Sequence, residues 1–313
     1  MDRKIIFLLI LLLLVTGCTY KVEDTKELMG TIVTITVYDS DKGKAELAVM
    51  DAFEEISRID KLLSNYNNES EVYLLNKEGM IDNPSVELSE NIKKARYYSE
   101  LSNGAFDITV QPILDLYSKS FSEKGVAPGD DEINNVLQKV SYDYIYTKPG
   151  LILFRTDGMS ITLGGIAKGY AIDQAINVLR RERIKHALVN AGGDMRAIGN
   201  KGNEDWQIAL QNPRNKEEFI TVIPLNDKSV VTSGDYERYF DENKTFHHII
   251  DPRTGYSATE LMSVTIIANN AWDADAISTS VFVLGKEKGL ELIESLNGVE
   301  GLIITREKEI VKS

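Results

Sequence analysis

Two adjacent histidines, His247 and His248, stand in a chain of 313 residues that has only three. Ile249, Ile250 and the turn Asp251-Pro252-Arg253-Thr254-Gly255 follow them. An imidazole has an ordinary pKa of about 6.5 and can take a proton from a hydroxyl near neutral pH. A strand over 246–250 ending in such a ring, then a rigid polar turn, would aim the ring at a pocket. The same residues also make a half-buried strand with a surface turn.

A second group is Asp273, Asp275 and Thr279. On a helix, Asp275 and Thr279 are i and i+4 and share one face. A carboxylate with a hydroxyl is a hard-oxygen pair that suits Mg²⁺, which leaves coordination sites for phosphate oxygens. Zinc fits poorly, because the chain has one cysteine and no His-Glu-x-x-His. The structural alternative is an Asp that caps the helix and a Thr packed inward.

Three glycine-rich bends complete the polar set: 163–170 (LGGIAKGY, with Lys168), 189–194 (VNAGGD) and 232–235 (TSGD). Backbone amides at such a bend hold phosphate, and Lys168 adds a point charge. The spacing is neither a Walker A loop nor a dinucleotide fingerprint. Each bend alone also serves as an ordinary turn, but all three fall at expected strand ends and suggest a shared rim. Asp107 and Thr109 sit in an apolar stretch, where Asp107 suits buried backbone groups. Met29 and Tyr66 offer a thioether and an aromatic face to a flat ring.

The elements that must position these groups are mixed in order. Helical spacing marks 45–63 (Leu47, Met50, Phe53, Ile56, Ile59, Leu63), 88–101, 132–139, 171–183, 274–284 and 286–296. Strand patterns mark 31–38, 144–146, 151–154, 187–190, 206–210, 219–224, 229–232, 246–250, 263–268 and 302–305. Without a regular βαβ alternation, this reads as an α+β fold, one compact catalytic domain over 28–313.

The N-terminus reads as an address. A basic-ended head precedes an unbroken apolar run, Ile5–Val15, of 11 residues. That is short of the roughly 20 residues that span a bilayer, but it suits a signal peptide over 1–17. Val15-Thr16-Gly17-Cys18 resembles a bacterial lipobox, so Cys18, the only cysteine, is the expected lipidation site. Residues 18–27 then read as a lipidated polar tether. The chain would sit on the extracytoplasmic face of the bacterial cell membrane, held by the lipid alone. The formal charge of -13 falls to -14 once Asp2, Arg3 and Lys4 (net +1) are removed. Such a chain repels nucleic acid and lacks a basic stripe.

The ordered set, from Met29-Gly30-Thr31 to Val283-Leu284-Gly285, resembles the FAD:protein FMN transferase family (ApbE-like flavin transferases). It runs through Ser64-Asn65-Tyr66, Ser70-Glu71, Asn76, GAFDITVQP at 104–112, LGGIAKGYAID at 163–173, VNAGGD, TSGDYERYF at 232–240, HHIIDPRTG and DADAIST at 273–279. The resemblance implies a T-fold-related domain that splits FAD and transfers FMN to a threonine of an acceptor protein, with Mg²⁺, releasing AMP. It implies Asp275, Thr279 and the Gly165 carbonyl as metal ligands. It implies FAD contacts from Met29, Tyr66, Ala105, Phe106, Asp107, Lys168 and the loop around Ile249. Thr162, where the family often has Asp, is included among the cofactor-binding positions. His248 is the implied base. His247 would point to the other strand face and be structural. The acceptor would be an extracytoplasmic redox subunit or domain. The alternatives are a Mg²⁺-dependent FAD pyrophosphatase and a non-catalytic flavin-binding lipoprotein.

Overall fold

The computed structural model describes residues 19–202, 204–241 and 245–313, so the expected signal peptide and Cys18 lie outside the described residues. An eight-stranded antiparallel sheet forms the frame. Its order is β1 (Tyr20–Leu28), β2 (Thr31–Asp39), β6 (His186–Ala191), β7 (Asp194–Ile198), β10 (Ser229–Gly234), β11 (Leu261–Ala268), β12 (Glu300–Thr305) and β13 (Ile310–Lys312). A small sheet pairs β3 (Met80–Asp82) and β4 (Ile145–Lys148) with β5 (Leu151–Phe154).

The helices are α1 (Lys42–Leu63), α2 (Glu71–Glu78), α3 (Val86–Leu101), α4 (Gln111–Lys124), α5 (Asp130–Leu137), α6 (Ala167–Arg181), α7 (Ala271–Leu284) and α8 (Lys286–Ser295). Helices α1, α6 and α7 share the main core with the sheet. The ribbon β8 (Trp206–Asn212) and β9 (Asn215–Leu225) shares a second core with strands of that sheet, through Trp206, Ile208 and Leu225 against Ala197, Val230 and Met262. Strand β11, covered on both faces, is buried at seven of its eight positions. A third cluster joins Ile113 and Tyr117 of α4, Ile133 of α5 and Ile250.

The α+β expectation holds, and four details differ from the sequence reading. Residues 20–28 are an edge strand, not a tether: β1 pairs residue by residue with β2, from Tyr20↔Asp39 to Leu28↔Thr31. Its charged side chains are those of an exposed edge, where charge discourages pairing with another chain. Residues 246–250 form no strand. They carry two isolated bridges, Tyr239↔His247 and Ile250↔Ser257, next to a turn that Pro252 stops from pairing further. On α1, Leu47 and Met50 are exposed. The buried face is instead Ala45, Ala48, Val49, Ala52, Phe53, Ile56, Ile59 and Leu63, whose small residues let the helix lie close to its neighbours. Helices α2 and α4 and strands β1, β3, β7 and β13 are not expected from the sequence.

Helix α7 carries the second polar group. It begins three residues earlier than its apolar pattern suggests, because the Asn270 side chain caps it by accepting from Asp273 N. Asp is therefore not the cap. Ten of its fourteen residues are buried, the signature of a helix enclosed on all sides. Asp275 and Thr279 are polar exceptions on that helix.

Candidate active site

The bend before α6 is built from its neighbours. Asn65 and Asn76 both donate to the Ile161 carbonyl, at 3.0 and 2.8 Å, and Ile161 N donates back to Asn76 Oδ1 at 2.7 Å. Thr162 N donates to the Ile108 carbonyl at 2.8 Å, and Thr162 Oγ1 accepts from Gly164 N at 3.1 Å. Thr162 thus shapes the bend. The chain then turns into α6 with Ile166 N and Ala167 N on the Leu163 carbonyl.

At the next step the ordinary helical bond is diverted. Gly169 N would return to the Gly165 carbonyl, four residues back. It donates instead to Asp275 Oδ2 at 2.9 Å. Among the described residues, the Gly165 carbonyl and Asp275 Oδ1 then accept no hydrogen bond. A Cβ on Gly165 would lie 3.0 Å from Thr279 Oγ1 and 3.2 Å from the Phe106 ring, so Gly165 faces both. Asp275, tied to α6 through Gly169 N, and Thr279, packed on Gly165, bring a carboxylate and a hydroxyl to the bend that carries the Gly165 carbonyl, a set of hard oxygens that fits Mg²⁺. Burial pushes the Asp275 carboxyl well above the usual range, Asp194 adds to this, and Lys168 opposes it. A cation at this point would relieve that cost. No cluster of three or more His, Cys, Asp or Glu is gathered for a metal among the described residues.

Lys168 pairs with Asp194 at 2.7 Å, and Asp194 Oδ1 also accepts from Thr232 N at 3.1 Å. Burial pulls the Lys168 ammonium down, but Asp194 and Asp275 outweigh it and leave it raised. Ser233 Oγ lies 2.8 Å from Ser278 Oγ and 3.4 Å from Thr279 Oγ1, so the third glycine bend touches α7. The three bends do share one rim.

The two histidines differ in tautomer. His247 is fully buried, with Nε2 2.7 Å from the Ala258 carbonyl, while Ile249 N donates to its Nδ1 at 3.3 Å. It carries its proton on Nε2, stays neutral and meets Phe282 edge-on, a structural role. His248 Nδ1 lies 3.2 Å from the Arg238 carbonyl. A carbonyl only accepts, so Nδ1 carries the proton and Nε2 keeps its lone pair. Burial lowers His248 to about 4, the Arg238 bond opposes this, and the Arg238 and Lys168 charges lower it further. The ring is neutral at pH 7.

Around these groups, Met29 (φ 54°) and Gly30 (φ 68°) turn β1 into β2. Both lie in the left-handed region, as a two-residue hairpin turn requires. Met29 N is tied to Asp60 Oδ2 at 2.8 Å, and the Arg238 guanidinium lies over Gly30. Ala105 and Phe106 are buried. Asp107 has both oxygens in use: Oδ1 accepts from Thr109 N and Oγ1, and Oδ2 from Tyr142 N at 2.8 Å. It holds the loop, so a ligand at 105–107 would meet backbone. Tyr66 is 90% exposed, its ring free to stack. Ile249, directly after the histidines, is buried, and its carbonyl accepts from Ala258 N. The Asp251 turn is closed by Thr254 N and Gly255 N on its own carbonyl. Sequence reasoning gave no role to Asn65, Asn76, Asp173, Asp194 or Arg238, whose signal lay only in their places inside the quoted motifs.

Comparison with known proteins places the chain in a family. The family model described as the ApbE family matches residues 29–303. A FAD:protein FMN transferase of Klebsiella pneumoniae is 31% identical over 91% of this chain and 90% of its own length. One of Haemophilus influenzae is 32% identical over 90% and 86%. Among solved structures, the ApbE protein of Thermotoga maritima superposes with a TM-score of 0.85 at 34% identity, covering 95% of this chain and 97% of that one. With a match across nearly the whole described domain, the chain belongs to the ApbE family.

Proposed function

We infer that the chain is a FAD:protein FMN transferase, one that cleaves FAD and attaches FMN to an acceptor protein. Supporting this is the contact of Gly165 with Thr279, and of α6 with Asp275, beside Lys168 and a single-tautomer His248, in a chain similar to FAD:protein FMN transferases of Klebsiella pneumoniae and Haemophilus influenzae.

The finer reading is a phosphoester link to a threonine with release of AMP. His248 Nε2 would take the threonine proton, its ring held by the Arg238 carbonyl. Lys168, steadied by Asp194, and the glycine-bend amides would orient the pyrophosphate. Asp275, Thr279 and the Gly165 carbonyl would hold Mg²⁺, which when bound neutralises charge on phosphoryl oxygens. Tyr66 and Met29 would pack on the flat rings of FAD. Thr162 keeps its hydroxyl within the bend, so it would shape the FAD site more than bind it.

The test is to incubate the protein with FAD, Mg²⁺ and a threonine-bearing acceptor domain, following acceptor-bound flavin fluorescence and AMP. Bound flavin with AMP is expected. AMP without labelled acceptor would point to FAD hydrolysis, and absence of AMP would remove both enzymatic readings. We also propose lipid attachment at Cys18 on the extracytoplasmic membrane face, with an extracytoplasmic redox protein as acceptor. Cys18→Ala should then move the protein out of the membrane fraction; unchanged fractionation would reject the anchor.

A further inference from the structure

One buried acid of the α6 motif takes no part in the chemistry above. Asp173 lies one helical turn after Gly169. Its Oδ1 accepts from Arg196 Nη1 at 2.5 Å and from Ala271 N at 2.9 Å, and its Oδ2 from Trp272 N at 3.0 Å. Arg196 is also buried. It stands two residues after Asp194 on β7, hence on the same strand face. Strand β7 therefore reaches α6 twice, with Asp194 on Lys168 and Arg196 on Asp173.

The same spacing recurs between the helices. Gly169 and Asp173 are i and i+4 on α6; Ala271 and Asp275 are i and i+4 on α7. Gly169 N holds Asp275, and one turn on Asp173 holds the first amides of α7. A Cβ on Gly169 would stand 2.6 Å from the Ala271 carbonyl carbon, so the helices touch backbone to backbone.

We propose that the buried Asp173–Arg196 pair is a positioning device, which fixes the register of α7 on α6 so that Asp275, Thr279 and the Gly165 carbonyl meet on one cation. The inference rests on the metal reading above. Two features favour positioning over stability. Arg196 Nε is buried with no partner, a cost that an apolar pair would avoid. Buried ion pairs replaced by apolar residues of similar volume commonly lose no stability. Directional bonds to two consecutive amides supply what an apolar pair lacks.

The experiment titrates Mn²⁺ into the protein without FAD, reading free Mn²⁺ by its electron paramagnetic resonance, alongside Tm by calorimetry. Asp173→Asn, Arg196→Met and the double variant Asp173→Leu/Arg196→Met are compared with wild type and Asp275→Ala. Weakening of Mn²⁺ by about tenfold or more is expected in all three, as when groups behind metal ligands are removed. The double variant also strips Ala271 N and Trp272 N of their acceptor, so its Tm should fall, and its Mn²⁺ affinity is read well below that Tm. Arg196→Met retains both amide bonds to Asp173 and keeps the test open should Asp173→Asn not fold. Mn²⁺ affinity within twofold of wild type in the folded variants would overturn the inference while leaving the metal reading intact. No Mn²⁺ binding by wild type, or wild-type binding by Asp275→Ala, would overturn the metal reading and the inference with it.

Discussion

Replacing Gly169 with alanine places a methyl group where α6 and α7 touch. The new carbon would lie 2.6 Å from the Ala271 carbonyl carbon and 2.9 Å from Asp275 Cβ, and nearer still to the Ala271 oxygen. Relaxed carbon contacts begin near 3.5 Å, so the helices must part by about 0.9 Å. The same movement, along its line, would stretch the 2.9 Å bond from Gly169 N to Asp275 to about 3.8 Å, beyond hydrogen-bond range. Overpacking of this kind costs about 1–3 kcal/mol. The smaller freedom of alanine in the unfolded chain returns about 0.4–1 kcal/mol. At about 2–4 °C per kcal/mol, Tm should fall by several degrees. Activity should suffer more, because a misplacement of about 1 Å in a reacting constellation costs on the order of 100-fold. The assay pairs calorimetry with AMP release at saturating Mg²⁺. A Gly169→Ala protein within threefold of wild-type turnover and within 1 °C, roughly the assay error, would refute the view that this contact sets the site.

His248→Ala should keep FAD binding, read by flavin fluorescence quenching, and lose transfer by roughly 100-fold or more; unchanged transfer would remove His248 as base. In wild type, transfer should fall only as pH drops toward the His248 value of about 4, raised somewhat by bound phosphates. A kcat/KM profile falling as pH rises through 5–7 would contradict the assigned neutral base. His248 is depressed below its unfolded value of about 6.5, so the unfolded chain binds more protons between these values. Its stability contribution is present above pH 6.5 and declines as pH falls through about 4, which urea midpoints at pH 4.5 and 7 should register. Gly255 sits at φ 80°, and a Cβ there would stand 2.5 Å from Ile133 Cγ2. Gly255→Ala should therefore cost about 1–3 kcal/mol in a denaturation experiment.

Much of the fold was legible where burial follows a period. Strand β8 alternates buried and exposed from Trp206 to Gln211, a period the sequence shows; β11 reads as a strand over 263–268, where Val264, Thr265, Ile266 and Ile267 are β-branched. Strand β1 was missed because an edge strand needs no apolar face: its backbone is satisfied by β2 and its side chains face water. The large residues of α1 suggest a stripe that includes Leu47 and Met50, which the structure leaves exposed, whereas alanines form much of the buried face. At the site, Asp275, Thr279 and Lys168 were legible as polar residues of types that suit phosphate chemistry. The diverted Gly169 bond was not, because it depends on how closely two helices 106 residues apart approach. The histidine pair was legible as a motif. The tautomers were not, since each is set by a carbonyl ten or eleven residues away.

The central claim is transfer, not cleavage. Its most direct measurement is the ratio of AMP released to FMN bound covalently on the acceptor, by intact mass, as the reaction runs to completion. One AMP per acceptor-bound FMN is predicted, with none of either when the acceptor threonine is changed to valine. AMP accumulating beyond the bound flavin, or undiminished with the valine acceptor, would contradict the account.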